Sequence, residues 1–159
     1  MTFREIFHDV YPALVRYARR MAGDPDAAED AVQEAFVRLL DRDVHGEPER
    51  LRGWLFTTVT NLLRDRARVA ANRSRLLATR TPMPETPPEA ADRMERQERI
   101  RRVREALDAL DARDRTLLLL REEGFSYREL AREVGVQPGS VGTLLARARR
   151  RFRDRLTEK

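Results

Sequence analysis

Residues 126–151 constrain the fold of this 159-residue chain more than any other stretch. Ser126 and Glu129 have the spacing of a capping box, which begins a helix. Gly135 suits the positive-φ position that ends such a helix, and Pro138 suits the first turn of a second one. Arginines then load the end of the second helix. Two helices around a tight turn with a basic end are typical of a helix-turn-helix that enters the DNA major groove.

The same pattern also fits an ordinary helical hairpin with a solvated basic tail, because its spacings are common. The charge distribution favours the nucleic-acid reading. Residues 50–78 carry seven arginines against one acid, and residues 140–159 carry seven basic residues against two acids. Residues 1–49 are acidic. Coding bias explains why 31 of the 32 basic residues are arginine, but it does not explain their clustering. Two basic segments suit two contacts with a phosphate backbone.

Composition excludes several classes of protein. The chain has no cysteine, so it has neither a disulfide framework nor a thiolate metal site. His8 and His45 lie far apart in the sequence and form a poor ligand set. The longest apolar run, 117–120, is too short to cross a membrane, and the N-terminus lacks a signal-peptide pattern. We therefore expect a cytoplasmic protein with no membrane insertion.

A group of acids in the second predicted helix could suggest a metal site. These acids are Asp26, Glu29, Asp30 and Glu34. Acids near a helix N-terminus already favour the helix dipole, and no histidine accompanies them. An acidic face that meets a basic protein partner is the favoured interpretation, and no metal or cofactor is predicted.

Apolar residues at helical spacing predict an all-α fold. The predicted helices cover 3–21, 24–40 and 51–77, and the second part of the chain begins near Asp92 with the apolar stripe Ile100, Val103, Leu107 and Leu110. The first helix is expected to be kinked or broken near Pro12. Residues 79–91 hold four of the eight prolines and are predicted to be a flexible linker. The linker divides the chain into small helical domains at 1–78 and 92–159.

The third predicted helix combines aromatic, amide and arginine side chains. Trp54, Phe56, Asn61 and Arg64 lie on it with several threonines. Aromatics beside arginines are typical of surfaces that hold single-stranded nucleic acid. The alternative for Trp54 is a place in the hydrophobic core.

Three stretches, in this order, resemble the bacterial extracytoplasmic-function (group IV) sigma factors of RNA polymerase. DPDAAEDAVQEAFVRLL and RGWLFTTVTNLLRDRAR are similar to successive helices of sigma region 2. The stretch from LDALDARD to LLARARRRF is similar to sigma region 4. The resemblance covers nearly the whole chain. It implies a non-enzymatic, two-domain subunit, with a region 2 helical bundle at 1–78 and a region 4 helix-turn-helix at 92–159.

The resemblance also implies partners and roles for individual residues. Core RNA polymerase would contact region 2 through its β′ clamp and region 4 through its β flap. The residues implied for the clamp are Asp30, Gln33, Glu34 and Arg38. Those implied for the −10 promoter element are Trp54, Phe56, Asn61 and Arg64. Those implied for the −35 element are Gln137, Ser140, Thr143, Arg147 and Arg150. The family usually has an anti-sigma factor as a further partner.

The chain departs from the family in the second helix of the helix-turn-helix. Gly142 and Leu144 stand where the family commonly has lysine and arginine. A glycine inside a helix costs up to about 1 kcal/mol, and two basic contacts are missing. We therefore expect a weaker dependence on the −35 element. Two other functions remain open at this point: a stand-alone helix-turn-helix regulator, and a metal-dependent nucleic-acid enzyme that uses the region 2 acids.

Overall fold

The computed structural model describes residues 2–74 and 91–158. The helices in these ranges are α1 (Phe3–Ala22), α2 (Pro25–Asp41), α3 (Pro48–Ser74), α4 (Ala91–Ala109), α5 (Ala112–Glu122), α6 (Tyr127–Val134) and α7 (Pro138–Thr157). All the regular structure in the described part of the chain is helical, which confirms the predicted all-α class.

Helices α1, α2 and α3 pack together as the first domain. Gly23 ends α1 with φ of 71°. Asp24 then begins α2, because its Oδ1 accepts a hydrogen bond from the Asp26 N–H at 3.0 Å and Pro25 occupies the first turn. The short connection brings the apolar faces of α1 and α2 together, and α3 closes the core against both.

Helix α1 continues through Pro12, so of the two predicted alternatives, a kink or a break, the break is wrong. Apolar side chains on both sides of the proline are buried against α2 and α3. They include Ile6, Val10, Leu14 and Tyr17. This burial offsets the backbone hydrogen bond that proline removes.

Helices α4 to α7 form the second domain, with α7 packed against α4, α5 and α6. Its core contains Leu117, Leu120, Leu130, Val141 and Leu145. Only half of the predicted α4 stripe is buried: Leu107 and Leu110 lie in the core, whereas Ile100 and Val103 are 60% and 41% exposed. The first part of α4 has no helix packed over its stripe within the described ranges.

The two domains lie against each other. The Phe56 ring of α3 meets the Phe125 ring edge-on, with centroids 5.0 Å apart. Arg104 of α4 donates hydrogen bonds to the last carbonyl oxygens of α1, including that of Met21 at 3.3 Å. The buried apolar residues of both domains therefore form one continuous core.

The predicted linker at 79–91 lies outside the described residues, except that Ala91 is the first residue of α4. The domain limits at 78 and 92 therefore stay predictions. Helix α3 begins at Pro48, earlier than predicted, and the described part of it ends at Ser74.

Candidate nucleic-acid interface

The predicted capping box at the start of α6 is present. The Ser126 Oγ accepts from the Glu129 N–H at 3.2 Å, and the Ser126 N–H donates to the Glu129 Oε1 at 3.2 Å. Gly135 ends α6 with φ of 70°, and the Val136 N–H donates to the Ala131 carbonyl oxygen at 2.9 Å. These bonds fix the turn between α6 and α7, so the helix-turn-helix follows from local sequence signals.

Helix α7 buries one side and exposes the other. Val141, Leu145 and Ala148 face the core of the second domain. The predicted −35 residues are all exposed: Gln137, Ser140, Thr143, Arg147 and Arg150. From residue 140 onward their spacing of three and four residues puts them on one side of the helix. We call this set the α7 face. Gln137 stands at the N-cap position without a capping side-chain hydrogen bond.

Two features near the α7 face were not predicted from the sequence. The Tyr127 ring is 41% exposed, and the Arg121 guanidinium lies 5.1 Å from its centroid. A methyl group at Gly142 would stand 3.6 Å from the same ring. The aromatic ring therefore borders the exposed side of α7 beside the glycine that departs from the family pattern.

One arginine of the basic α7 end has a structural role. Arg151 donates to the Asp114 Oδ2 at 2.6 Å, and the Asp114 side chain is only 2% exposed. This hydrogen bond raises the pKa of Arg151 above its ordinary value. Arg151 therefore ties α7 to α5 and compensates a buried carboxylate, whereas Arg147 and Arg150 remain exposed.

The predicted −10 residues on α3 differ in exposure. Asn61 is exposed, Trp54 and Arg64 are half-buried, and Phe56 is 1% exposed. The Phe56 ring packs between Tyr17 and Phe125, with centroid distances of 5.1 and 5.0 Å. Phe56 therefore lies in the core, because its position falls on the side of α3 that faces the other helices.

Residues of the second domain cover the side of α3 that bears the partly buried members of this set. The Arg64 Nη2 donates to the Thr116 Oγ1 of α5 at 3.2 Å. The Thr57 hydroxyl of α3 donates to the Glu133 Oε2 of α6 at 2.6 Å. Asn61 is thus the most accessible of the four predicted −10 residues.

Sequence reasoning missed the charged pair that joins the domains beside α3. Arg16 and Glu123 are 107 positions apart and form two hydrogen bonds, from Nε at 3.0 Å and from Nη2 at 2.8 Å. These bonds raise the pKa of Arg16 above its ordinary value. No local pattern could have paired residues so distant in the sequence.

The predicted polymerase-binding residues lie along the outer side of α2. Asp30 and Gln33 are exposed, and the Arg38 Nε donates to the Glu34 Oε1 at 3.0 Å. Val37 on the same helix is 50% exposed. We call Asp30, Gln33, Glu34 and Arg38 the α2 face. This face offers charges to a partner, and Val37 beside it adds some apolar surface.

The region 2 acids do not assemble into a metal site in the described part of the chain. No group of three or more histidine, cysteine, aspartate or glutamate side chains there could hold a metal ion. None of the helices within 2–74 and 91–158 is long and apolar enough to cross a membrane.

Comparisons with known proteins agree with this arrangement. Residues 6–73 match the family Sigma-70 region 2, and residues 100–152 match Sigma-70, region 4. The ECF RNA polymerase sigma factor SigL of Mycobacterium tuberculosis is 32% identical over 163 residues, which cover 98% of this chain and 89% of SigL.

A second relative and a solved structure extend the comparison. The ECF RNA polymerase sigma factor SigE of Mycolicibacterium smegmatis is 32% identical over 148 residues; the match covers 90% of this chain and 57% of SigE. The sigma factor RpoE of Bartonella quintana, in complex with the anti-sigma factor NepR, has a similar fold, with a TM-score of 0.73 and 24% identity. That match covers 99% of this chain and 98% of RpoE. This chain therefore belongs to the ECF family of RNA polymerase sigma factors, with region 2 in its first domain and region 4 in its second.

Proposed function

We propose that the chain binds core RNA polymerase and directs it to promoters through three separate surfaces. The α2 face binds the polymerase clamp, helix α3 binds the melted −10 element, and the α7 face reads the −35 duplex. The observation that carries this proposal is the α7 face itself: a row of polar side chains, exposed on a capped helix-turn-helix, within the segment that matches sigma region 4.

The α2 face supports polymerase docking because its charges are accessible and serve no buried role. The Asp30 Oδ2 lies 3.9 Å from the Arg66 Nη1, and Glu34 pairs only with Arg38 of its own helix in the described part of the chain. Exposed pairs of this kind contribute little to folding. They are therefore available for a charge-complementary partner.

Charge reversal tests this assignment. The double variant Asp30→Arg, Glu34→Arg should fold normally and bind core polymerase more weakly, as measured by competition for core against the wild type. A matched control, Asp9→Arg with Glu105→Arg, changes the net charge equally at exposed positions of α1 and α4. Equal affinity of the test and control variants for core would remove the docking assignment.

The two DNA surfaces have different chemistry. Asn61 is exposed on α3 and carries a carboxamide, which can recognise a base edge. The α7 face carries hydroxyls and arginines, which suit phosphates and base edges of a duplex. Gly142 and Leu144 reduce the number of basic contacts, so we propose that the −35 element contributes less than the −10 element to promoter choice.

Transcription in vitro tests the whole proposal. The chain, added to core polymerase and genomic DNA, should produce transcripts from defined start sites that share −35 and −10 sequences, as read by start-site sequencing. A stand-alone regulator would instead bind a duplex operator tightly without polymerase. Specific duplex binding with no start sites in the presence of core would overturn the sigma-factor proposal in favour of that alternative.

Four further assignments belong to this proposal. The polymerase supplies the chemistry, so the chain acts without a cofactor or catalytic residues of its own. Because polymerase and promoter are cytoplasmic, we place the chain there. An anti-sigma factor is a further proposed partner, since the structurally similar RpoE was crystallised with NepR.

We also propose domain limits at 1–78 and 92–159, which limited proteolysis would test by cutting first within 79–91.

A further inference from the structure

The connection between α5 and α6 inserts a carboxylate and an aromatic ring between α1 and α3. We call residues 123–125 the region 4 corner. The Glu123 side chain is 5% exposed and accepts both hydrogen bonds from the Arg16 guanidinium. Two parallel bonds from an arginine are the geometry by which proteins hold carboxylates and phosphates. The corner thus places a fixed negative group where region 2 presents an arginine.

The ring of the corner lies between an arginine and another aromatic. The Arg52 guanidinium is 4.2 Å from the Phe125 centroid, and the Phe56 ring meets Phe125 edge-on. Arg52 also donates a hydrogen bond to the Glu123 carbonyl oxygen. Proteins hold unpaired bases by a similar combination of aromatic contacts and arginine over a ring. The ring of Phe125 therefore occupies a place with the features of a base-binding site.

A second acidic side chain continues the same arrangement along α3. Glu133 accepts a hydrogen bond from the Thr57 hydroxyl at 2.6 Å. Glu133, Glu129 and Phe125 line one wall of a cleft of about 460 Å³, and Trp54 and Thr57 line the other. The second domain therefore presents acids to the side of region 2 that carries Trp54, Thr57 and the arginines.

We propose that the region 4 corner imitates a nucleotide and occupies the site on region 2 that binds single-stranded promoter DNA. The Glu123 carboxylate takes the place of a phosphate on Arg16, and the Phe125 ring takes the place of a base beside Arg52. DNA and the corner cannot occupy this site together, so the closed chain is blocked from −10 binding until the domains separate. The α7 face stays exposed throughout. This inference rests on the proposed function, since it assumes that α3 binds the −10 strand.

The contact of Arg104 with α1 stabilises the same closed arrangement from another side. Its guanidinium donates to the carbonyl oxygens of Arg19, Arg20 and Met21 and pairs with Asp108. Arginine at a helix C-terminus satisfies carbonyl groups that have no partner inside the helix. A methyl group at Gly23 would stand 2.6 Å from this guanidinium and would push the arginine side chain aside.

Two variants that break the same ion pair give different predictions for DNA binding. Glu123→Gln removes the imitating charge and leaves Arg16 available, so the apparent Kd for a dye-labelled single-stranded oligonucleotide of mixed sequence should fall about three- to tenfold as the open fraction rises. Arg16→Gln also opens the chain but removes the phosphate contact, so its affinity should not increase. Fluorescence anisotropy with the full-length chain measures both.

The control variant is Glu122→Gln, which makes the same change in net charge one residue earlier. Glu122 is exposed and makes no hydrogen bond to region 2 in the described part of the chain. Its oligonucleotide affinity should stay within about twofold of the wild type, because it leaves the closed population unchanged. Helix content by circular dichroism verifies that each variant is folded.

Domain opening can be followed independently of DNA. Trp54 is the only tryptophan in the chain and lies in the cleft beside Phe125. Its emission should shift to longer wavelength in Glu123→Gln and in Arg16→Gln. Since the chain has no cysteine, dyes on Asp9→Cys and Arg149→Cys report the separation of the domains by energy transfer.

The outcomes separate this inference from the proposed function. Unchanged dye separation and unchanged affinity in Glu123→Gln would overturn the occlusion. Opening without a gain in affinity, or an equal gain in Arg16→Gln, would overturn the nucleotide imitation, provided that the wild type starts transcription with core polymerase at defined sites. A chain that never starts transcription with core overturns the proposed function, whatever the oligonucleotide affinity.

Discussion

The two basic helices of this protein, α3 and α7, present their DNA-facing residues differently. All five residues of the α7 face are exposed, whereas three of the four predicted residues on α3 are half-buried or buried. The other helices pack against α7 on one side only. Helix α3 packs against α1 and α2 and is also covered by α5 and α6 through Thr116, Phe125 and Glu133. A basic, polar helix is therefore accessible or covered according to whether its neighbours lie on one side of it or on several.

The largest effect is expected at the residue that covers α3. Phe125 is 4% exposed and packs on Phe56 and Arg52, so Phe125→Ala should lower the free energy of unfolding by about 3–5 kcal/mol. The control is Phe152→Ala on α7, where the ring is only half-buried and the loss should be about 1–2 kcal/mol. Urea unfolding measures both. Equal losses of unfolding free energy in the two variants would mean that the Phe125 ring stabilises the fold no more than a half-buried ring does.

A smaller effect, on binding rather than folding, should distinguish the two surfaces. Asn61→Ala should impair promoter melting and −10 sequence preference by about 1–3 kcal/mol, because a bidentate base contact is lost. Permanganate reactivity of thymines in the transcription bubble measures this step. Duplex binding by the α7 face should stay nearly unchanged. Normal melting on every promoter sequence would remove Asn61 from base recognition.

The matching variant on the α7 face should act on the opposite step. Arg147 is exposed and makes no ion pair in the described part of the chain, so Arg147→Ala should weaken binding to −35 duplex by about 1–3 kcal/mol. Mobility shifts on −35 duplex measure this, with −10 preference expected to remain unchanged. If Arg147→Ala alters the −10 preference instead, the two surfaces are not independent.

Beneath the covered side of α3, a buried hydroxyl pair should have an effect of about 1 kcal/mol on stability. The Thr60 hydroxyl donates to the Phe56 carbonyl oxygen at 2.7 Å, so the Tyr17 hydroxyl donates to Thr60 at 2.6 Å. Burial raises the pKa of Tyr17 well above its ordinary value of 10.0. Tyr17→Phe removes this hydrogen bond and the ionisable group together.

The sign of the pH dependence follows from this pKa. In the unfolded chain Tyr17 loses its proton near pH 10, whereas the folded chain keeps it at higher pH. The unfolded state therefore binds fewer protons above pH 10, and wild-type stability falls as the pH rises through that value. Thermal unfolding at about pH 8 and about pH 10.5 should show a smaller decline for Tyr17→Phe than for the wild type. An equal decline would assign the alkaline sensitivity to other groups.

The smallest expected effect is at Gly142 of α7. Gly142→Ala should raise stability by about 0.5–1 kcal/mol, since alanine is the better helix former and its methyl group would make only an ordinary contact with Tyr127 at 3.6 Å. Gly139→Ala, in the first turn of α7, is the control and should gain less. Loss of duplex binding in Gly142→Ala would indicate that DNA approaches the backbone closely there.

Local signals in the sequence predicted the elements of this fold well. The capping box at Ser126 and the turn at Gly135 are both present, because each depends on residues within a few positions of one another. The family resemblance predicted region 2 and region 4 and is confirmed by the comparisons. The break at Pro12 was wrongly predicted, because burial of the helix face outweighed the local effect of proline.

The sequence by itself determined the helices, the two-domain plan, the sigma-factor family and the exposed side of α7, since these follow from short-range spacing and from motifs. Only the tertiary structure decided which residues of α3 are accessible. Phe56 was predicted to stack on bases but lies in the core, and the Glu123 side chain, which no local pattern marks, is buried against Arg16. The Arg16–Glu123 pair joins residues 107 positions apart, and contacts of this kind depend on how whole helices pack rather than on any local pattern.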